Sequence, residues 1–215
     1  MTSFPNSPKL LKGGIVLIDP ESGRVGRIIA LQYNPDTLSR TLQVKGIGES
    51  GDRSQALRFK GPPVETIKLD AEMDATDQLE IADSTATDVG LHPQLAALEL
   101  LVYPTRSQLQ SNNSLAAFGT LEIAPMEAPL TMFIWSKNRI VPVRITDFSV
   151  TEEAFDPALN PIRAKVSLGM RVLSVEDLGF AHRGGGLFMT YLKNKEQLAA
   201  RSTSSVLSTL GITGI

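Results

Sequence analysis

The sequence predicts a mainly β fold with one inserted α-helix. Three observations lead to this prediction: about seven short segments have strand patterns, one apolar helical stripe interrupts them near mid-chain, and glycine or proline marks most connections. Strands of this number and length are typical of a sandwich or a small barrel. A C-terminal helix and tail are expected to follow this β body.

The composition supports one large folded domain and excludes several classes of protein. The chain has 215 residues, 42% of them hydrophobic, which is enough for an extensive core. Its net charge of -2 offers no basic surface for nucleic acid. Cysteine is absent, so disulfides, thiolate nucleophiles and cysteine-based zinc sites are excluded. No signal-peptide pattern or membrane span is seen, so we expect synthesis in the cytosol and no direct membrane insertion.

Strand patterns occur on both sides of the predicted helix. The clearest is PVETIKLDAEMDA, in which alternate residues from Ile67 to Met73 are apolar and share one face. Between two of the strands, residues 46–63 are rich in glycine and charge and predict a long surface loop, a kind of segment that is often functional. The predicted strands are 15–19, 27–34, 37–46, 63–75, 130–136, 139–155 and 161–173.

The firmest helix prediction is HPQLAALELLVYP, residues 92–104. Pro93 suits a first helical turn, Leu95 and Leu98 begin an apolar stripe, and Pro104 is expected to end the helix. A short helix is predicted near QLEIA, capped by Thr76 or Asp77. The segment SQLQSNNSLAAFG, residues 107–119, is interpreted as a polar connector.

The two ends of the chain are expected to differ from the β body. Residues 1–14 are interpreted as an N-terminal arm, and residues 15–178 as the β domain. Residues 179–215 are interpreted as a hinge at Gly184-Gly185-Gly186, an amphipathic helix over 187–200, and a tail that orders on docking.

A search for catalytic and metal-binding patterns identifies no candidate. His92 and His182 lie in no metal-ligand spacing, and nucleotide-binding and nucleophile-elbow motifs are absent. Acidic residues alternate from Asp70 onward, but an EF-hand starting there would need glycine at Ala75 and glutamate at Ile81. We therefore predict no catalytic residue, no bound cofactor and no metal site.

The stretch TEEAFDPALNPIRAKVSL, residues 151–168, raises the choice between an acidic reactive site and a contact hairpin. Glu152 and Glu153 are adjacent, so in an extended strand they point to opposite faces and do not readily share a site. Asp-Pro and Asn-Pro pairs predict a turn between two strands. Apolar residues near this turn would cost solubility unless the body or a neighbouring chain covers them. The predicted subunit interface is Glu152, Glu153, Phe155, Asp156, Leu159, Asn160 and Pro161, together with Arg53 and Arg58 of the long loop.

Several segments together resemble the contractile injection system tube-protein domain. They are QYNPDTLSR, PPVETIKLDAEMDATDQLE, GLHPQLAALELLVYP and the region from PLTMFIWS through EEAFDPALNPIRAKVSL to MRVL. The order and spacing of these pieces carry the resemblance, which extends over residues 15–178. More closely, the chain resembles baseplate adaptor proteins of extracellular, phage-tail-like contractile injection systems.

The resemblance implies a phage tail-tube-like β-barrel or sandwich, with six copies forming a ring around a channel. Adaptor members join the central spike protein to the inner tube protein and hold other baseplate and sheath proteins around them, in a particle that is released or stays cell-anchored. Many adaptors carry a LysM domain, and none is seen after Arg183, which keeps a tube-initiator ring as an alternative. A cell-wall hydrolase, a carbohydrate- or peptide-binding module and an ordinary β domain also stay open.

Overall fold

A computed structural model describes residues 11–46, 58–117, 128–202 and 210–211 of the chain. Within them, seven strands form one sheet in the order β2-β1-β5-β6-β7-β4-β3, and every neighbouring pair is antiparallel. The strands are β1 (Gly14–Ile18), β2 (Val25–Ala30), β3 (Leu38–Gln43), β4 (Val64–Asp74), β5 (Leu130–Ile134), β6 (Ile140–Phe155) and β7 (Pro161–Val172).

Helices occupy the connection between β4 and β5 and the segment after β7. The first group is α1 (Thr76–Glu80), α2 (Ser84–Val89), α3 (His92–Glu99) and α4 (Arg106–Ala117), and the second is α5 (Val175–Leu178) and α6 (Arg183–Ala199). The predicted mainly β fold with inserted helical structure and a C-terminal helix is therefore confirmed.

The sheet curls back on itself. In a flat sheet, β2 and β4 would be five strand spacings apart, or about 24 Å. The Gln32 side chain, which follows β2, nevertheless accepts a hydrogen bond from the Asp74 amide at 3.0 Å and donates one to the Asp74 carbonyl at 2.6 Å. This contact ties the chain leaving one edge strand to the end of β4, so the predicted barrel or sandwich takes the form of a single curled sheet.

The core lies on the concave face of β4 and β7. Alternate residues of the two strands are buried and face each other in register, for example Leu69 opposite Leu168. Helices α3 and α6 cover this face through Leu95, Phe188 and other buried side chains. The period-2 pattern of the sequence therefore identified the buried face of both strands.

The helical region departs from the prediction at three points. Helix α3 ends at Glu99, and tighter turns follow it, in which the Leu101 and Val102 amides donate to the carbonyls three residues earlier. The expected polar connector is helix α4, preceded by Thr105, whose backbone and side chain exchange hydrogen bonds with Gln108 in a capping-box pattern. The expected cap of α1 at Thr76 or Asp77 is also wrong, since Ala75 occupies the capping position and the first helical amide, that of Thr76, donates to the Asp74 carboxylate instead.

The expected glycine hinge forms the first turn of α6. A Cβ on Gly185 would lie 2.0 Å from the carbonyl oxygen of Gly179, and one on Gly184 would lie 2.4 Å from Leu178 Cδ1. Glycine is therefore present because the helix begins in close contact with the preceding segment, rather than because the chain bends there. The division into arm, β domain and tail stays a prediction, and residues 1–10, 203–209 and 212–215 lie outside the described part.

Candidate assembly interface

The β6–β7 hairpin is the longest feature of the sheet. Strand β6 has 16 residues and β7 has 12, and they pair from Val143–Val172 to Phe155–Pro161. Strand β5 pairs with β6 only through residues 140–143. Among the described residues, no strand pairs with the outer edge of residues 144–155, which leaves a long open edge.

The turn of the hairpin is held by Asp156. One carboxylate oxygen accepts hydrogen bonds from the Ala158 and Asn160 amides at 2.8 Å each, and the other accepts one from Asn160 Nδ2 at 2.8 Å. Hydrogen bonds from the side chain and the backbone of Asn160 keep the pKa of Asp156 below its ordinary value. Asp156 therefore acts as the acceptor that shapes the turn.

The turn is also anchored to the helical region. Asn160 Nδ2 donates to the Asp88 carbonyl at 3.1 Å, and the Pro161 carbonyl accepts from the Leu91 amide at 2.9 Å. Gly90 has a φ of +56°, and a Cβ there would lie 2.5 Å from the Pro161 oxygen. These contacts fix the direction in which the hairpin projects.

Two apolar side chains are exposed at the hairpin tip, which we define as residues 151–160. Phe155 is 50% exposed and Leu159 is 75% exposed. Leu159 has a φ of +68° and Ala154 has a φ of +54°, left-handed values that are unfavourable for residues with a Cβ. The described body does not bury these side chains, so a rigid and partly apolar surface is presented outward.

The three carboxylates of the tip are kept apart. Glu153 forms an ion pair with Lys165 at 3.3 Å, and Asp156 is engaged in the turn. Glu152 is exposed and forms no ion pair within the described residues. The geometry therefore does not bring together the carboxylate pair that general acid–base catalysis would use.

Arg58, one of the two loop arginines predicted for the subunit interface, lies at the other end of the sheet from the hairpin tip. Arg53 is outside the described residues, whereas Arg58 is described and exposed. A backbone hydrogen bond of 3.0 Å joins Lys60 to Lys45, and Gly46 pairs with Phe59 in an isolated bridge. Residues 44–46 and 58–60 thus form a short two-stranded extension beyond β3, which we call the ribbon. The structure does not bring Arg58 near the hairpin tip of the same chain.

A buried charge network that the sequence analysis missed fixes helix α6 to β3 and β4. Glu65 is 4% exposed and accepts hydrogen bonds from Arg40 Nε at 2.8 Å, Lys195 Nζ at 3.0 Å and the Tyr191 hydroxyl at 3.1 Å. Burial raises the pKa of the Glu65 carboxyl, but the hydrogen bonds and charges of Lys195 and Arg40 outweigh it and lower the pKa overall. The sequence did hold a signal for this network. By the alternation of β4, Glu65 falls on the same buried face as Ile67, and a carboxylate on a buried face needs charged or hydrogen-bonding partners.

The other end of α6 contacts the β1–β2 turn. Arg183 donates to the carbonyl oxygens of Pro20 and Glu21 at 3.3 and 3.4 Å. His182 Nδ1 caps the helix by accepting a hydrogen bond from the Gly184 amide at 3.0 Å. The helix is therefore held at both ends across the core face, while residues 196–200 are exposed.

The described residues include neither a helix that could span a membrane nor a group of metal ligands. None of their helices combines the length and apolarity needed to cross a bilayer. No three histidine, aspartate or glutamate side chains among them are grouped as metal ligands.

Comparison with known proteins identifies the family. No curated protein matches the chain. Two solved structures are similar, described as the tail of an empty GTA particle with C6 symmetry and the virion of a native gene transfer agent particle. They share 14% and 13% identity with the chain, and their TM-scores are 0.29 and 0.26. The similar regions cover 75% and 74% of this chain and 90% of each of the two solved chains.

The profile of the family described as contractile injection system tube protein matches residues 16–177. This range includes every strand from β2 to β7, the last three of the five residues of β1, and the anchored hairpin. The predicted resemblance is thus confirmed at the level of the family. The chain belongs to the contractile injection system tube protein family, as a structural component of such a system.

Proposed function

We propose that this chain is a baseplate component that forms a hexameric ring and adapts the central spike to the inner tube of a contractile injection system. The observation that carries the proposal is the β6–β7 hairpin: it is long, anchored to the body, open along one edge and apolar at its tip. Family membership supports a structural role. The resemblance of the HPQL and EEAFDPALNPIRA segments to adaptor proteins supports a position between the spike and the inner tube.

Two open sheet edges support ring formation. A ring needs a heterologous contact, in which one surface of a copy meets a different surface of the next. Strand β2 is one edge of the sheet and exposes Val25 and Ile28 beside Arg27. The open edge of residues 144–155 carries three carboxylates and one arginine. Opposite charge and unpaired backbone groups favour contact between these edges on neighbouring copies.

Helix α6 supports a contact outside the ring. The Glu65 network and Arg183 hold the helix firmly, yet its last turn, residues 196–200, is exposed. Leu198 lies seven residues after the buried Tyr191, on the same helix face. The segment 187–215 is therefore the proposed docking element for another baseplate protein. A tube-initiator ring of the same machine is the alternative position for this chain.

The first experiment is electron microscopy of the particles that co-purify with a tagged copy expressed in its native host. The expected result is a sixfold ring of this chain between a pointed spike and a stacked tube. A ring located within or immediately above the tube would favour the initiator. Recovery of a lone globular particle, without sheath, tube or spike proteins, would contradict the proposal and reopen the search for a ligand or a hydrolytic substrate.

A hairpin variant tests the assigned surface. Phe155→Asp places a charge on the exposed tip, so we expect loss of assembled particles while the thermal unfolding of the purified chain stays unchanged. Surface substitutions usually alter the unfolding free energy by no more than about 0.5 kcal/mol. Phe180→Asp makes the same change at another exposed phenylalanine and is the matched control. Normal particle yield with Phe155→Asp would show that the hairpin assignment is wrong.

A further inference from the structure

The ribbon beyond β3 has an apolar face and a basic face. Gly46 pairs with Phe59, and alternation along the strand places Leu42, Val44 and Phe59 on one side. These three side chains are 46%, 64% and 78% exposed. The ribbon thus presents a run of apolar side chains that the described body does not cover.

The opposite face of the ribbon is positively charged. Lys45, Arg58 and Lys60 lie there, and Lys45 forms an ion pair with Glu176 of α5. Arg58 and Lys60 are exposed and form no ion pair within the described residues. Arg58 and Lys60 flank Phe59 along the chain but point to the other face, so only a partner that meets the ribbon at its edge or end contacts both the apolar run and the two cations.

The hairpin tip has the complementary composition. Its ten residues, TEEAFDPALN, include three carboxylates and no lysine or arginine. Phe155 and Leu159 supply an exposed apolar pair among them. An acidic, apolar tip and a basic, apolar ribbon match in both charge and hydrophobicity.

The two surfaces cannot meet within one chain. Strand β4 begins beside the ribbon at Val64 and ends at Asp74, where it pairs with Arg163 near the hairpin tip. Its 11 residues span roughly 35 Å. A contact between tip and ribbon must therefore join two copies.

We propose that the hairpin tip of one copy docks on the ribbon of the next copy. The contact is heterologous, because each chain gives its tip in one direction and receives a tip at the other end of the sheet. It would repeat from copy to copy along the strand direction. The inference rests on the proposed function for its setting, since an assembly of this chain must bring copies together.

Cysteine cross-linking tests the contact directly, because the chain has no cysteine of its own. The chain carrying both Leu159→Cys and Phe59→Cys is expressed with the remaining components of the machine and treated with a short bismaleimide. We expect an immunoblot ladder of dimers, trimers and larger species, since every copy carries both halves of a heterologous contact. The matched control pairs Leu159→Cys with Ile81→Cys, which is also exposed but follows α1, at the end of β4 opposite to the ribbon.

Charge reversal gives a second readout with the same cysteine pair. Changing Arg58→Glu and Lys60→Glu should lower the cross-linked fraction about threefold or more, as expected for the loss of exposed ion pairs. Adding Glu152→Lys should recover part of it. Recovery would not follow from a general defect in folding, so this arm separates charge pairing from damage to the chain.

The outcomes distinguish this inference from the proposed function. Intact particles with a sixfold ring, but a ladder no stronger than that of the control pair, would overturn tip–ribbon docking and leave the adaptor role standing. A strong ladder without co-purifying spike and tube proteins would support the docking and overturn the adaptor role. When the double-cysteine chain does not accumulate, two singly substituted copies are expressed together, and a dimer found only in the mixture supports the contact while its absence refutes it.

Discussion

Replacing Glu65 with glutamine tests the account of how helix α6 is held. The glutamate carboxylate accepts from Arg40, Lys195 and the Tyr191 hydroxyl, with all four groups close together under α6. Glu65→Gln keeps the shape and one acceptor but removes the charge that both cations face. The expected effect is a loss of stability with little change of fold.

The size of the expected loss of stability follows from how deeply the carboxylate and its two cationic partners are buried. Removing one partner of a fully buried ion pair costs about 3–5 kcal/mol. Glu65 is buried, but the side chains of Arg40 and Lys195 are 25% and 37% exposed, so water screens part of the charge that is left. We therefore expect a loss of about 2 kcal/mol. For a chain of this length, that loss lowers the melting temperature by roughly 4–8 °C.

The assay is thermal unfolding of the full chain, followed by circular dichroism in parallel with Glu72→Gln. Glu72 lies on the same strand but on the exposed face, so its replacement makes the same chemical change without touching the network. A melting temperature for Glu65→Gln within about 1 °C of the Glu72→Gln value, far short of the expected roughly 4–8 °C, would refute the reasoning. The carboxylate charge would then contribute nothing measurable to the attachment of α6.

Three further outcomes are expected. Gly185→Ala should lower the unfolding free energy by about 1–3 kcal/mol in urea titration, because its Cβ would lie 2.0 Å from the Gly179 oxygen. Gly186→Ala, which has open space around it, should be neutral or stabilising. Equal effects of the two substitutions would contradict the close packing of Gly185. The folded-state pKa of Glu65 is below its ordinary value of 4.5, so the stability that the carboxylate contributes is present above that pH and is lost as the pH falls through the folded-state pKa. The unfolding free energy of Glu65→Gln should therefore fall less steeply in acid than that of the unsubstituted chain. Parallel plots of unfolding free energy against pH would exclude this linkage. Asp156→Ala should speed amide exchange at the two turn residues that donate to it, and unchanged protection would argue against its role as the turn acceptor.

The strands could be predicted because burial on one face leaves a period of two in the sequence. In β4 and β7, each inward position from Ile67 to Met73 and from Val166 to Val172 is apolar, so local pattern and tertiary position agree. Helix α4 was harder to predict, since it has no buried residue and its polar composition resembles that of a loop. Only the Thr105–Gln108 capping pattern marked its start.

Long-range contacts account for what the sequence could not predict. The three glycines before Leu187 look like a linker, but Gly185 lies against Gly179 and Gly184 against Leu178, close contacts that only the folded chain reveals. The tie between Gln32 and Asp74 that curls the sheet joins residues 42 positions apart. Neither contact leaves a local pattern. The interface residues stay a prediction, because the described chain shows their exposure and anchoring but no second copy.

The acidic hairpin illustrates how geometry separates two interpretations of one composition. A reactive carboxylate site needs acidic groups that converge and have different pKa values. Here Asp156 is engaged by three hydrogen bonds within the turn and Glu153 pairs with Lys165, while Glu152 points into solvent. The same turn holds Leu159 outward in a left-handed conformation, which would be an unfavourable arrangement for a surface with no partner. Rigidity lowers the entropy cost of association, so a pre-shaped apolar tip with an unpaired carboxylate suits a contact between chains better than it suits catalysis.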